Sequence, residues 1–407
     1  MITKDKAILF VSHLIPRESY NEVSKKSKKN MQDAANALQW NLVRGFAHHF
    51  DKKIDVINFL PIASFPQYYT DAGVKKMTFD AGVENPGISV GFNNVKYIRR
   101  WSIRHSLYRQ IEAWCTKNSQ KHCTIIAYTL NSVMLEALRR IKNKYKNVSV
   151  CAIVADLPDM INLSSNKGLV RRLADSICSS SSYKNIEIVD KFVFLTRQMS
   201  EYIGNSKPYC VMEGIAPEVA WTPDEAQQTD TKTVLYTGTL HKKFGVVHLL
   251  EAFGKIADEN YRLVICGVGD SEKTIIEAAA QDPRIIFKGK CSRDQVLELQ
   301  RAATVLVNPR MNNEEFTKYS FPSKNLEYLS SGVPLIAFKL DGIPDEYDGY
   351  INYVEDDTPE ALADKIYSIC QLPAEQRREL GRMAQVFISE NKNAISQTRK
   401  IVDLLND

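Results

Sequence analysis

The sequence lacks any apolar run near the roughly 18 residues that a membrane-spanning helix requires, so it predicts no transmembrane segment. No small-residue cleavage site follows the first apolar run, Ala7–Val11, and we interpret that run as a strand and not as a secretion signal. With 44% hydrophobic and 25% charged residues in 407 positions, the composition is typical of a globular chain of two domains.

Cysteine pairs and metal-ligand clusters are also missing. The eight cysteines are scattered and include no C-x-x-C pair, which argues against a disulfide framework or a zinc site and favours a cytoplasmic protein with reduced thiols. No D-x-D pair follows a predicted strand, so we expect neither a metal nor a resident cofactor. The G-x-S-x-G elbow and the Walker loop are absent as well.

Acidic residues are scarce in the first half of the chain. Residues 1–210 hold 31 Lys and Arg against 17 Asp and Glu, whereas residues 211–407 hold 22 against 31, which the overall net charge of +5 conceals. The asymmetry indicates that the first half meets an anionic partner or surface, although each cluster taken alone is also what a solvated face carries. The clusters are Lys25, Lys26, Lys28 and Lys29; Arg99, Arg100, Trp101 and Arg104; and Lys142, Lys144 and Lys146.

Short apolar runs alternate with helix-like stretches along the whole chain. Apolar strands alternating with helices are typical of parallel sheets buried on both faces, so we predict an α/β protein with two Rossmann-like, doubly wound domains. The predicted strands are 7–12, 54–59, 123–128, 148–154, 192–196, 233–237, 262–266, 285–288, 304–308 and 334–338. The clearest predicted helices are 31–49, 132–145, 247–257, 293–302 and 359–370.

A polar, proline-containing stretch at 216–231 marks the predicted boundary between the domains. We therefore assign residues 1–215 to a first domain and 216–385 to a second. The remaining residues, 386–407, are predicted to form a C-terminal helix. Ligands of open α/β sheets bind beyond the carboxyl ends of the strands, so we expect the site in the cleft between the two domains.

The segment Ser320–Pro334 is the most informative stretch of the sequence. It reads S-F-P-S-K-N-L-E-Y-L-S-S-G-V-P, with Pro322 suited to the first turn of a helix and Gly332 to its C-terminal cap. The free N–H groups of such a helix start, with Lys324 beside them and Glu327 one turn on, suit a diphosphate joined to a sugar diol. An amphipathic surface helix with an ion pair explains the same residues, so the segment alone leaves both interpretations open.

This segment resembles the donor motif of retaining GT-B glycosyltransferases of family 4, the glycosyl transferases group 1, in the variant P-S-K-x-x-E-Y-L-x-x-G-x-P. The resemblance implies that Glu327 binds the donor ribose and that the helix start with Ser323 and Lys324 receives the diphosphate. The family usually has a second Glu eight positions earlier, where this chain has Tyr319.

Three further elements of that pattern occur in the family's order. The stretch 238–245, G-T-L-H-K-K-F-G, resembles G-R-L-x-x-x-K-G, but Thr239 and Phe244 stand where the family has its phosphate-binding Arg and Lys. The strand ending in G-x-G at Gly267 and the stretch 341–346, D-G-I-P-D-E, match the other two. The resulting donor-site candidates are Gly238, Thr239, Lys243, Gly267, Ser323, Tyr319 and Glu327.

The catalytic candidates are Lys324, Arg310 and Asp156. Arg310 follows the predicted strand 304–308 and Lys324 lies at the predicted helix start, and both would replace the missing cations at the leaving diphosphate. Asp156 follows the strand 148–154, where many relatives carry a catalytic His or Asp, and a carboxylate there would orient or deprotonate an acceptor hydroxyl. A turn cap explains Asp156 equally well.

Taken together, the resemblance implies a retaining, metal-independent glycosyltransferase of the hexosyltransferase type. It would move a sugar from a nucleotide-diphosphate donor to a glycan or lipid-diphosphate-linked acceptor in surface polysaccharide assembly. The basic first domain suggests a cytoplasmic protein that binds an anionic membrane at its inner face. Nucleic acid is not an expected partner. A nucleotide-sugar epimerase of GT-B fold and a non-catalytic partner subunit remain as alternatives.

Overall fold

The computed structural model describes residues 5–28, 31–157, 185–217, 230–313 and 315–407, to which every structural statement below refers. The chain divides into two compact units. The first comprises Met1–Ile215 and Ala394–Asp407, and the second comprises Ala216–Asn393. Each unit holds its own parallel sheet covered by helices, so the predicted α/β class with two Rossmann-like domains is confirmed.

The first unit is built on a sheet of eight strands in the order β10-β9-β8-β7-β1-β2-β5-β4, in which only β4 runs antiparallel to its neighbour. A separate antiparallel pair, β3 and β6, lies beside it. The strands are β1 Lys6–Ser12, β2 Asp55–Asn58, β3 Gly73–Val74, β4 Met77–Phe79, β5 Gly87–Ser89, β6 Phe92–Asn93, β7 His122–Tyr128, β8 Val148–Val154, β9 Lys191–Phe194 and β10 Tyr209–Val211.

The second unit is built on a wholly parallel sheet of six strands in the order β13-β12-β11-β14-β15-β16. Its strands are β11 Lys232–Thr239, β12 Tyr261–Val268, β13 Ile285–Gly289, β14 Val305–Asn308, β15 Leu335–Phe338 and β16 Ile351–Val354. The central strands are apolar along their length and buried on both faces, as a parallel sheet between two helical layers requires.

Helices cover both sheets. Among the described residues, none of these helices is long and apolar enough to cross a membrane. The helices are α1 Tyr20–Lys26, α2 Asp33–His49, α3 Arg99–Lys117, α4 Ser132–Lys144, α5 Arg197–Tyr202, α6 Val246–Gly254, α7 Glu272–Gln281, α8 Arg293–Ala302, α9 Ser323–Leu329, α10 Pro359–Gln371, α11 Ala374–Asn391 and α12 Ala394–Asn406.

Local sequence explains where several helices begin. Ser292 and Gln295 form a reciprocal capping box at the start of α8, with the Ser292 hydroxyl accepting from the Gln295 N–H and the Gln295 side chain accepting from the Ser292 N–H. The Thr358 hydroxyl caps α10 by accepting from the Ala361 N–H, with Pro359 at the first helical position, and the Asn131 side chain caps α4. These caps are why the predicted starts of these three helices coincide with the observed ones.

The core of the first unit depends on the helix that closes the chain. Ala394, Ile401 and other apolar residues of α12 are buried in the same cluster as Phe10 of β1 and Phe46 of α2. A Cβ on Gly45 of α2 would lie 2.3 Å from the Thr398 hydroxyl oxygen of α12, so only glycine permits this helix pair to pack so closely.

All ten predicted strands are present, with ends shifted by one or two residues at most. The six strands that we did not predict, β3, β4, β5, β6, β10 and β16, have two to four residues each and therefore contain no run long enough to signal a strand. Five of them lie at the edges of the two sheets or in the separate β3–β6 pair.

The predicted boundary at residue 386 is wrong, because that residue lies inside α11. The chain leaves the helix at Lys392, whose carbonyl oxygen accepts a hydrogen bond from the Ala216 N–H at 2.8 Å. The buried Lys392 ammonium donates to Glu346 at 2.6 Å and lies 4.8 Å from the Tyr347 ring centroid. These contacts separate α11 from α12, so the closing segment of the first unit begins at Ala394.

We expect Gly381→Ala to lower the free energy of unfolding by about 1–3 kcal/mol, the usual cost of an overpacked core. A Cβ on Gly381 of α11 would lie 1.8 Å from the Gly332 carbonyl oxygen. Gly254→Ala is the matched control, because its Cβ would meet no atom within 4 Å and alanine favours a helix by about 0.5–1 kcal/mol. Urea unfolding of both variants measures the difference, and equal midpoints would contradict it.

Candidate functional site

Helix α9 contacts the carboxyl end of β11 through the hydroxyl group of Tyr328. Pairing between β11 and β14 ends at Leu235, so the Thr237 peptide has no strand partner on that side. The buried Tyr328 hydroxyl accepts from the Thr237 N–H at 2.7 Å and donates to the Thr237 carbonyl oxygen at 2.9 Å. This double contact fixes α9 relative to the strand and thereby positions the residues before Tyr328.

Glu327 presents a nearly buried carboxylate beside this contact, with 14% of its side chain exposed. Its Oε2 accepts from Arg293 at 2.7 Å, and its Oε1 accepts from Gln300 at 2.6 Å and lies 3.2 Å from the Lys324 ammonium. Burial by itself raises the pKa of Glu327, but Lys324 and Arg293 outweigh it, and the pKa falls to about 2. The group is therefore ionised at every physiological pH.

Arg293 and Gln300 are the functional candidates that the sequence analysis missed. Both lie on α8, seven residues apart and so on one face of it. Gln300 is buried and donates from Nε2 to Glu327 and, at 3.3 Å, to the Thr237 hydroxyl oxygen. The predicted helix 293–302 contained both side chains. The sequence did not show that α8 lies beside α9, so the contact of these side chains with Glu327 could not be predicted.

Gly238 and Gly267 bring the ends of β11 and β12 into contact. A Cβ on Gly267, whose φ is +151°, would lie 1.8 Å from the Gly238 carbonyl oxygen. A Cβ on Gly238 would lie 3.6 Å from Cε of Lys324, so the lysine side chain runs beside this strand end. Gly238, Gly267, Lys324 and Glu327, all predicted site residues, thus lie at one edge of the sheet, together with the exposed Thr239.

The loop after β11 is braced by the hydrogen bonds of His241. His241 donates from Nε2 to Asp270 at 3.1 Å, while its Nδ1 accepts from the Lys243 N–H at 3.3 Å. Asp270 in turn accepts from the Lys242 N–H at 3.1 Å. These contacts account for His241 as a structural residue, and they leave the Lys243 ammonium 5.7 Å from the centroid of the Phe244 ring.

Arg310 lies against the same loop. Its buried guanidinium carbon is 5.8 Å from the centroid of the Phe244 ring, and burial lowers the pKa of Arg310 to about 10. The loop touches the end of β14 directly, because a Cβ on Gly245, whose φ is +81°, would lie 1.9 Å from the Pro309 carbonyl oxygen. A cation therefore stands next to Phe244, although the residue at 244 itself is apolar.

Two predicted site residues have less evident roles. Ser323 is exposed at the first position of α9, which starts without a side-chain cap. Tyr319 ends a short 3₁₀-helix, Glu315–Tyr319, and is half-buried. Deeper in the same region, the buried Asn308 of β14 donates to Asn325 of α9 at 2.6 Å, which adds a second polar link between strand and helix.

A second group of polar and aromatic residues gathers at the carboxyl ends of the first unit's strands. The His13 ring lies 5.1 Å from the Tyr128 ring and 5.7 Å from the Phe59 ring. Burial lowers the pKa of His13 to about 4, so the ring is neutral at physiological pH. Asp156 follows β8 and is exposed to solvent overall. The surrounding protein nevertheless desolvates its carboxyl group, which raises the pKa of Asp156 to about 6.

A cavity of about 290 Å³ in the first unit opens beside His13. Its wall is rigid, because Gln39 accepts from the His13 N–H at 2.9 Å and Asn36 accepts from the Ile15 N–H at 2.8 Å. None of the described residues that line it is charged at neutral pH. They are His13, Ile15, Ser27, Met31, Gln32, Ala35, Asn36, Gln39, Pro61, Ile62 and Ala63.

Within the described part of the chain, no three His, Cys, Asp or Glu side chains lie together in a way that would hold a metal ion. The cationic groups near Glu327 are instead Lys324 and Arg293. Arg310 is the buried cation at the neighbouring loop. The arrangement of one carboxylate and several cations suits a ligand that carries both hydroxyl groups and negative charge.

Residues 220–387 match the model of the family described as glycosyl transferases group 1. A search of curated proteins found no match. Among solved structures, the chain is similar to sucrose-phosphate synthase from Thermosynechococcus elongatus, with 15% sequence identity and a TM-score of 0.65 over 98% of each chain.

Two other solved structures are similar over the whole chain. The lipopolysaccharide outer core galactosyltransferase WaaB is 15% identical, with a TM-score of 0.61 over 98% of this chain and 99% of that one. HepE of Anabaena, solved in complex with UDP, is 13% identical, with a TM-score of 0.62 over 98% of this chain and 99% of that one. At this identity the likeness shows the fold, which is the two-domain GT-B fold.

We expect Tyr328→Phe to lower the free energy of unfolding by about 1–3 kcal/mol, because it leaves the buried Thr237 N–H without its partner. Tyr367→Phe is the control, since that tyrosine is 47% exposed and its ring stacks on Tyr261 without needing the hydroxyl. Thermal and urea unfolding of the two variants gives the comparison. A Tyr328→Phe variant as stable as the control would show that the hydroxyl does not hold α9 in place.

Proposed function

We propose that this protein is a retaining glycosyltransferase that uses a nucleotide-diphosphate sugar, in keeping with the match of residues 220–387 to the model of glycosyl transferases group 1. Its acceptor would be a glycan or a lipid-linked glycan in the assembly of a surface polysaccharide. The observation that carries the proposal is the buried, ionised Glu327 carboxylate at the carboxyl ends of β11 and β12. Such a group has the position and charge that binding of a ribose diol requires.

The carboxylate of Glu327 has room for the ribose. An ionised carboxylate offers about four acceptor sites, and Arg293, Gln300 and Lys324 use three of them. Arg293 is 53% exposed, and an ion pair with an exposed partner is worth only about 0–1 kcal/mol. The ribose hydroxyls would therefore displace Arg293 at small cost while Gln300 and Lys324 continue to orient the carboxylate.

The diphosphate would be bound by Lys324 and Arg310. Negative charge grows on the leaving diphosphate in the transition state, so a fixed cation near it lowers the barrier. Thr239 and Phe244 cannot supply that charge. Arg310 lies against Phe244 and keeps a guanidinium in the neighbourhood of the position where the resemblance expects a lysine. Its pKa of about 10 leaves it protonated at neutral pH.

Retention follows from the family resemblance as a front-face transfer. The bond between the anomeric carbon and the diphosphate oxygen breaks, and the bond to the acceptor oxygen forms on the same face. The acceptor proton passes to the departing phosphate oxygen, so no base of the protein has to keep it. The residues of this chain then act by orienting the donor and stabilising the diphosphate.

The acceptor would be bound by the first unit. The cavity beside His13 is lined by amide, hydroxyl and apolar groups, which suit the hydroxyls and faces of a sugar better than they suit a charged group. Burial and, after it, the nearby charge of Asp156 raise the pKa of Tyr128, and Tyr128 contacts His13. We propose that the Asp156 carboxylate orients the acceptor hydroxyl.

Donor binding is the first prediction of this proposal. A nucleotide at about 100 times its dissociation constant should stabilise the protein by about 2.7 kcal/mol, which shifts the melting temperature measurably. UDP and UDP-sugars come first because HepE was solved with UDP, followed by GDP, ADP and CMP conjugates. Glu327→Gln and Lys324→Met should each weaken binding about 10- to 100-fold, the effect of losing a charge-assisted hydrogen bond.

Glu298→Gln and Lys273→Met are the matched controls, because both side chains are exposed in the same unit. They should leave the nucleotide-induced shift unchanged. If no nucleotide stabilises the wild-type protein at millimolar concentration, the non-catalytic alternative is favoured, since Tyr319, Thr239 and Phe244 depart from the family pattern. Conversion of the donor without any acceptor, with the sugar epimerised, would favour the epimerase instead.

Transfer activity should also depend on the ionisation of Asp156. Its pKa of about 6 means that the carboxylate is charged above that pH and protonated below it. The kcat/KM for the acceptor should therefore fall as the pH drops through about 6. Asp156→Asn should lower kcat/KM and flatten this acid limb. Asp51→Asn, a control at an exposed carboxylate, should keep the wild-type profile. An Asp156→Asn profile that keeps the acid limb would exclude the role.

A further inference from the structure

Several lysines of the two lysine clusters in the first unit are engaged with partners. Lys26 pairs with Glu22 and Asp71 at 2.6 and 2.8 Å. Lys144 pairs with Glu112 at 2.7 Å. The Lys28 ammonium donates to the Pro66 carbonyl and Lys142 pairs with Asp190, while Lys29 lies outside the described residues. The contacts of Lys26, Lys28, Lys142 and Lys144 are thus local structure.

The stretch that leads into α3 differs in its charge. Between Asn85 and Ile111 the sequence contains no Asp or Glu, while it contains five basic residues. They are Lys96, Arg99, Arg100, Arg104 and Arg109. Of these, Arg104 pairs with Glu136 of α4 at 2.6 Å, so part of the charge is neutralised from a neighbouring helix. Arg100 donates to the Ser132 hydroxyl at 2.9 Å and lies 3.8 Å from Glu136, yet its side chain is 47% exposed. Lys96 and Arg109 are exposed as well.

Large aromatic and aliphatic side chains stand in solvent among these cations. Tyr97 is 87% exposed, Trp101 is 60% exposed and Ile98 is 46% exposed. Trp101 and His105 are four residues apart on α3 and therefore share one face of it, while Tyr97 lies in the turn just before the helix. The Trp101 and His105 rings stack at 5.4 Å, and the Lys96 ammonium lies 5.5 Å from the Tyr97 ring centroid.

This surface is held rigidly from below. The Arg99 side chain is largely buried and donates to the Ile62 carbonyl oxygen at 2.6 Å and to Asn94 at 3.1 Å. Those bonds fix the start of α3 to the loop after β2. The exposed aromatic residues are thus presented by a well-packed helix and not by a loose loop.

We infer that the α3 patch, formed by Lys96, Tyr97, Ile98, Arg100, Trp101 and His105, docks this protein on an anionic lipid bilayer. Aromatic rings with a polar edge are the side chains that settle at the level of lipid headgroups, and neighbouring Lys and Arg are attracted to an anionic leaflet. The patch has three large exposed apolar side chains, those of Tyr97, Ile98 and Trp101. Each side of a stable protein interface uses about 20–30 residues. The charge and the small apolar area both favour a bilayer over a protein partner.

The inference goes beyond the proposed transfer reaction and does not depend on it. The α3 patch belongs to the first unit, whereas Glu327 and the donor residues belong to the second. Vesicle binding and nucleotide binding are therefore separate measurements. A protein that binds vesicles without binding any nucleotide would support the docking surface and contradict the transferase, and the reverse result would do the opposite.

The test is co-sedimentation of the full chain with vesicles of phosphatidylcholine, with and without phosphatidylglycerol. We expect binding only to the anionic vesicles, and less of it at high salt. Lys96→Gln and Arg100→Gln should each weaken it about fivefold, the factor given by about 1 kcal/mol per basic residue near an anionic surface. Tyr97→Ser combined with Trp101→Ser should weaken it further, because the rings no longer enter the headgroup layer.

The matched controls are Ile276→Ser and Lys273→Gln on α7 of the second unit, whose side chains are exposed as fully as those of the patch. They should bind vesicles like the wild type. Trp101 fluorescence should shift to shorter wavelength when anionic vesicles are added, and Trp101→Phe should lose that shift. Unchanged binding by the patch variants, equal binding to neutral vesicles, or binding to RNA in preference to vesicles would overturn the proposal.

Discussion

A carboxylate can be buried only where other groups replace the water that it loses, and this constraint organises the second unit. Glu327 meets it with two cations and one amide, which come from two helices. Because Gln300 also bonds to Thr237, and Tyr328 bonds to the same residue, the carboxylate is tied to the end of β11 from both sides. The group proposed to bind the donor is therefore also a reason why α8 and α9 take their positions.

The cation near the donor loop illustrates how a fold tolerates change in a motif. The loop after β11 carries Phe244 where the family has a lysine. The tight contact between Gly245 and Pro309 brings Arg310, which follows the neighbouring strand β14, against the phenyl ring. Charge at this place is thus supplied from β14 and not from the loop itself. A comparison of sequences position by position would record the loss of a cation at residue 244. In the structure, the guanidinium of Arg310 lies beside that residue.

The sequence was sufficient for the features that depend on local pattern. Long apolar strands such as β8, the capped helix α8 and the helix start at Ser323 were all predicted, because burial on both faces, a capping box and a proline leave direct signals. The roles of Arg293 and Gln300 could not be predicted, because they depend on α8 lying beside α9. The break at Lys392 was missed for a similar reason, since its partners Ala216 and Glu346 are distant in sequence.

The first unit combines two segments of the chain, Met1–Ile215 and Ala394–Asp407, which the second unit separates in sequence. The Lys6 ammonium of β1 donates to Asn406 of α12 across 400 positions of sequence, and Ile401 and Leu404 fill the core beneath that sheet. On the ribosome, α12 emerges only after the whole of the second unit. The second unit, which is continuous, has all of its strands available earlier. The unit made first is consequently completed last, and until then its nascent core exposes the apolar surface that α12 will cover.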